Sequence, residues 1–148
     1  MDDIYNSRIL ELAGNIERSG VLDNADATSE KHSRLCGSKV RVFLKLNADG
    51  TVADFSHQVR ACALGQASSS VMARHVVGAA PHDIRSAREA MLAMLKDGGE
   101  GPQGRFEEMR VLKPVKDYKA RHASTMLTFD AVIDCLDQID AQKSAMAG

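Results

Sequence analysis

The sequence predicts an α+β fold: a small antiparallel β-sheet, built on a hairpin of about residues 38–61, packed against several helices. Three observations carry this prediction. Val40, Val42, Leu44 and Leu46 alternate with Lys39, Arg41, Phe43 and Lys45, the period-2 pattern of a half-buried strand. Asn47-Ala48-Asp49-Gly50 then reads as a turn, with Gly50 free to take positive φ, and Val52, Phe55 and Val59 mark a returning strand. Elsewhere the apolar residues recur every three or four positions, which is helical spacing. The 148 residues, 44% of them hydrophobic, allow one core and one domain spanning 1–148.

Taken in chain order, Ile4, Tyr5, Ile9, Leu12, Ala13 and Ile16 form one apolar helical stripe, with Gly20 as its stop. Residues 21–35 carry Asp23, Asn24, Asp26, Thr28 and Ser29 and are expected to form a polar surface loop. After the hairpin, Leu64, Ala67, Val71, Ala73 and Val76 describe a helix over 63–77. Pro81 suits the first turn of the next helix, which Ile84, Ala87, Ala90, Met91, Met94 and Leu95 continue. Gly98, Gly99, Gly101, Pro102 and Gly104 break it. Phe106, Met109 and Leu112 predict a short helical piece ending near Pro114. A last helix over 124–139 presents Leu127, Ala131, Val132, Cys135, Leu136 and Ile139 on one face, with Ser124 or Thr125 as its cap.

Composition narrows the function classes. Nineteen Lys+Arg against 20 Asp+Glu leave a net charge of -1, without the basic excess of a dedicated nucleic-acid binder. Aromatics are 4% with no Trp, so stacking surfaces for bases or sugars are scarce. No apolar run approaches the roughly 20 residues needed to span a bilayer. The acidic, charge-interrupted first segment is unlike a secretory signal, and three cysteines suit the reducing cytosol. Ser68-Ser69-Ser70 makes no nucleophile elbow, and the glycine-rich stretch 98–104 lacks the Gly-Lys-Ser/Thr of a phosphate loop.

Two cysteines stand where the chain can use them chemically. Cys36 precedes Gly37 and Ser38 at the mouth of the first hairpin strand, and Gly37 frees the backbone for a tight bend. Cys62 lies between the second strand and a helix, where backbone N–H groups favour a thiolate. A hairpin brings the start of one strand beside the end of the other, so Cys36 and Cys62 are expected to lie close together. Spacing alone leaves buried structural thiols as the competing reading, since there is no Cys-x-x-Cys. Cys135 falls mid-helix on the apolar face and reads as core. His122 precedes the last helix, half exposed, as a candidate third ligand or a surface histidine. His32, His57, His75 and His82 read as surface or structural.

Taken together, these motifs resemble the IscU/SufU/NifU-type iron–sulfur cluster scaffold family over roughly residues 4–139. The features that carry it are a Tyr-bearing first helix followed by Gly20-Val21-Leu22, Cys36-Gly37 before a hairpin, and Cys62-Ala63-Leu64-Gly65-Gln66-Ala67-Ser68-Ser69-Ser70 after it. Ala120-Arg121-His122-Ala123-Ser124-Thr125-Met126-Leu127 then stands where the family carries its third cysteine. The segment around 81–112 is similar to the longer SufU branch. The resemblance implies a scaffold that holds a [2Fe–2S] cluster or zinc, receives sulfur from a cysteine desulfurase and serves recipient iron–sulfur apoproteins.

The chain departs from that pattern at two positions. The family's Cys-Gly-Asp is Cys36-Gly37-Ser38, and an ungapped alignment on Leu127 and Ala131 puts Ser124 at the third cysteine, with His122 one position before the family's histidine. Cys36 and Cys62 remain as thiol ligands, with His122, Ser38 or Ser124 as candidates to complete the set. Soft thiolates suit iron and sulfide, whereas a neutral hydroxyl is a poor substitute. Three readings follow: an atypical, non-enzymatic cytosolic scaffold or carrier; a relic kept as a cluster-free protein-binding module; or a zinc-dependent sulfur acceptor.

Overall fold

The sheet has three strands in the order β1-β2-β3, all antiparallel: β1 (Ala27–Ser33), β2 (Ser38–Leu46) and β3 (Val52–Arg60). The computed structural model describes residues 5–34 and 37–147; Ile4 and Cys36 lie outside them. In β2, Val40, Val42 and Leu44 are fully buried while Arg41 faces solvent, but Phe43, expected on the polar face, is buried too, and Leu46 is only half-buried. The register Lys39↔Arg60 and Leu44↔Phe55 sets the start of β2 beside the end of β3.

β1 corrects the expectation of a polar loop over 21–35. Its burial does alternate, but the inward positions are Ala27, Ser29 and Ser33, so a strand is written without large apolar residues. Ser29 is accommodated because its hydroxyl donates to the Asp134 carboxylate at 2.7 Å. Packing against a neighbouring helix, which no local pattern reports, makes this strand.

The helices are α1 (Ser7–Gly14), α2 (Ala63–His75), α3 (Pro81–Asp97) and α4 (His122–Ala147). α1 is shorter than its apolar stripe: Asn6 caps it by accepting the Ile9 N–H at 2.9 Å, and the helix closes at Asn15 rather than Gly20. Beyond it Arg18 takes a positive φ of 59°, and the chain runs beside β3, where the His57 N–H donates to Arg18 O and the Gly20 N–H to His57 O. A 3₁₀ segment over Gly104–Asp117 passes through Pro114 instead of ending there. α4 begins two residues before the expected cap, so Ser124 and Thr125 lie in its first turn; the Thr125 hydroxyl donates back to Arg121 O at 2.7 Å.

α4 packs on β1 and β2, α2 on α1 and α4, and α3 on the 3₁₀ segment. Leu12, Val42, Phe55, Val71, Met91, Phe106, Phe129 and Val132 belong to one buried cluster joining every layer. Glu108 ties three pieces together, meeting Arg8 of α1 and Arg74 and His75 of α2. This holds α2 in place across the body of the molecule. No helix among the described residues is long and apolar enough to cross a membrane.

Candidate functional site

Three segments distant in sequence meet where β3 hands over to α2. Cys62 is the N-cap of α2, with extended backbone (φ -66°, ψ 169°) and its carbonyl accepting the Gln66 N–H at 2.9 Å. Its side chain makes no cap bond and is only half-buried. Ser38 opens β2, and the sheet register brings it to the same end of the hairpin. Ser124 comes from the first turn of α4. The Ser124 hydroxyl lies 3.2 Å from Cys62 Sγ and 3.2 Å from Ser38 Oγ, and the Cys62 N–H donates to Ser38 Oγ at 3.4 Å.

These contacts close a ring that starts and ends on Cys62. If the sulfur is a thiolate, it can only accept, so Ser124 donates to it and accepts from Ser38. Ser38 in turn accepts the Cys62 N–H, and every direction is consistent. Both hydroxyls are 1% exposed, so they are spent inside the junction, while Cys62 is only half-buried.

Gly65 makes the junction possible. A Cβ there would lie 2.8 Å from Ser124 Oγ, 2.9 Å from Ala61 Cβ and 3.2 Å from Ser124 O, so only glycine lets α4 come this close to α2. One turn on, the Ser68 hydroxyl donates to Thr125 O at 2.7 Å and pins the same two helices. Neither residue was singled out as a site position from sequence. The available signal was the run Gly65-Gln66-Ala67-Ser68-Ser69-Ser70, whose small buried side chains leave room for a close neighbour.

The sequence candidates therefore separate. Cys62, Ser38 and Ser124 are brought together, and the expected approach of Cys36 to Cys62 lies outside the described residues. His122 turns away: its Nε2 lies 3.0 Å from both Val115 O and Lys116 O, and its ring lines a groove of about 1010 Å³ with Leu92, Leu95, Lys96 and Met126. Cys135 is fully buried, its thiol directed at Val42 O at 3.8 Å, and burial beside Asp134 pushes it up to about 12.

A three-stranded antiparallel sheet backed by helices, with a half-buried cysteine at the β3–α2 junction, defines an α+β domain. The NifU-like N terminal domain family matches residues 4–125, and the chain belongs to that family. It is similar to the structure of a nitrogen-fixing NifU-like protein (N-terminal) from Brucella abortus, with 62% identity, 95% of this chain and 96% of that one covered, and a TM-score of 0.92. It is also similar to the iron-sulfur cluster assembly scaffold protein IscU of Thermotoga maritima, 27% identical over 136 residues, covering 92% of this chain and 94% of the relative. The fold is shared with a putative SUF-system scaffold protein from Fervidobacterium islandicum AW-1, at 21% identity, 90% and 96% coverage and a TM-score of 0.82.

Proposed function

We propose that this chain is an iron–sulfur cluster assembly scaffold or carrier that holds iron, a [2Fe–2S] cluster or zinc through Cys36 and Cys62. The single observation behind this reading is the half-buried Cys62, its sulfur beside Ser124, at the point where β2, α2 and α4 converge. The donor chemistry fits in part: thiolates suit iron and sulfide, while Ser38 and Ser124 are hard, neutral hydroxyls already bonded to one another. The cluster is cargo, so the chain works as one unit by holding and releasing it rather than by turnover. A cysteine desulfurase supplies sulfur, recipient apoproteins take the cluster, and the cytosol is the compartment; neither nucleic acid nor a membrane takes part. Anaerobic reconstitution with iron, cysteine and a desulfurase, followed by metal analysis and a visible spectrum, tests this. Binding is expected for the native chain and lost in Cys36→Ala and Cys62→Ala.

A second reading, a cluster-free protein-binding module, is favoured by one observation: the buried Ser38–Ser124 bond closes off the two positions where the family keeps an acid and a third cysteine. A chain that stays colourless and metal-free under reconstitution, in both native and Ser38→Asp/Ser124→Cys forms, rules out the scaffold reading and leaves this one standing.

A further inference from the structure

We propose that the groove between α3 and the start of α4 is a docking site for an acidic amphipathic segment of a partner protein. The groove encloses about 1010 Å³ and is walled by α3, the end of the 3₁₀ segment and the first turns of α4. The first turn of α4 serves two sites: Ser124 meets Cys62, while His122 and Ala123 line the groove. Cys62, Ser38 and Ser124 are therefore not part of this surface.

The charges of this groove are not met within the chain. Its walls carry Lys96, Lys116 and Lys119, all exposed. Among the described residues, lysines form ion pairs at Lys39, with Glu30, and at Lys113, with Glu100, and at none of these three. Asp130 also lines the groove but is engaged by Arg88 at 2.9 Å, which leaves Asp117 to offset one of the three lysines. α4 starts at His122, so the positive end of its backbone dipole adds to the same wall. A neighbouring groove of about 560 Å³ on α3 and α4 has the opposite arrangement. There Arg85 meets Asp137 and Asp140, and Arg88 meets Asp130, so the chain neutralises its own charges. Positive charge left over on the walls of a concavity attracts carboxylates.

The floor calls for aliphatic side chains. Leu92 is half-buried there, backed by the buried Leu95 and Met126. Leu92 and Leu95 stand one turn apart on α3, and methionine adapts its shape to what packs on it. An apolar floor between cationic walls matches a helix with aliphatic residues on one face and carboxylates at its flanks. Nucleic acid fits less well, since among the described residues no Phe, Tyr or Trp lines the groove to stack a base. A membrane surface would meet projecting lysines, not lysines on the walls of a concavity.

The test is fluorescence anisotropy of the full chain with a labelled synthetic peptide of about 15 residues, carrying leucines at helical spacing and glutamates beside them. Saturable binding is expected, weakening as ionic strength rises through about 0.15 M. Lys116→Glu/Lys119→Glu should raise the Kd about tenfold or more, while Lys45→Glu/Lys143→Glu, an equal change of charge elsewhere, should leave it within about twofold. Serines in place of the peptide's leucines, or Leu92→Ser in the chain, should also raise it about tenfold. None of these variants touches Cys36 or Cys62, so the scaffold reading stands or falls separately. Absence of saturable binding to the native chain overturns the inference, as does an equal loss in both charge variants or undiminished binding of the serine peptide. A single-stranded oligonucleotide or a phosphatidylserine vesicle that binds more tightly than the peptide, and loses that binding in Lys116→Glu/Lys119→Glu, gives the groove to a polyanion and overturns it too.

Discussion

Cys62 and Cys135 are the same residue type in two regions that make them chemically opposite. Cys62 caps α2 at the end of the sheet, half-buried and beside the hydroxyls of Ser38 and Ser124. Cys135 sits in the middle of α4 against β2, fully buried, where the charged form is disfavoured and the thiol is pushed up to about 12. Reactive sulfur is thus a property of position: an element boundary gives access and backbone donors, whereas a helix interior gives only packing.

The largest expected effect separates the two residues outright. Cys62→Ala should abolish metal or cluster binding under anaerobic reconstitution, and Cys135→Ala should leave it unchanged, both read by metal analysis. Loss of binding in the second variant would break the comparison. Next in size, a thiol-alkylating reagent should modify the half-buried Cys62 much faster than the fully buried Cys135 in the native state, because only the first is open to the reagent. Mass spectrometry of peptides after timed quenching measures this.

Smaller effects test the supports. In Gly65→Ala the new methyl meets Ser124 at 2.8 Å, so α4 must move off α2. A loss of about 1–3 kcal/mol in denaturant unfolding is expected, together with weaker reconstitution. Cys135→Ala should cost about 1 kcal/mol by the same assay, from a small buried side chain removed. Acid gives the last effect. His57 is fully buried, its Nε2–H donates to Glu17 O at 2.8 Å, and its Nδ1 has no partner. Burial, opposed by the Glu17 carbonyl, holds its pKa below the ordinary value of 6.5. The unfolded chain takes up this proton first, so the contribution is complete above the unfolded pKa and is lost as pH falls through the folded one. The urea midpoint should fall between pH 7.5 and 5.5, and fall less in His57→Gln.

Much of the fold was legible from apolar periodicity: the β2 alternation, broken only at Phe43 and Leu46, and the stripes of α2, α3 and α4 mark buried faces. β1 was not legible, because its inward positions are Ala27, Ser29 and Ser33, and a serine becomes an acceptable core residue only once Asp134 is beside it. At the site, Cys62 and Ser124 could be named from the order of motifs. His122 could not be placed from sequence, because its direction depends on the carbonyls of a 3₁₀ segment expected to end at Pro114. Gly65 shows the same limit, since its meaning lies in a helix 59 residues away in the chain.

The chain that follows α1 also has a bearing on how these molecules meet one another. An outer strand with unpaired N–H and C=O groups is a template for another chain to add to, and open edges are routes to aggregation. β3 is such a strand, yet Arg18 and Gly20 occupy the groups of His57, while Ala79 and Gly78 occupy those of Val52. Both positions on that edge are closed to strand addition from within the same molecule. Strand addition along β3 is thereby hindered by the chain's own segments at these two positions.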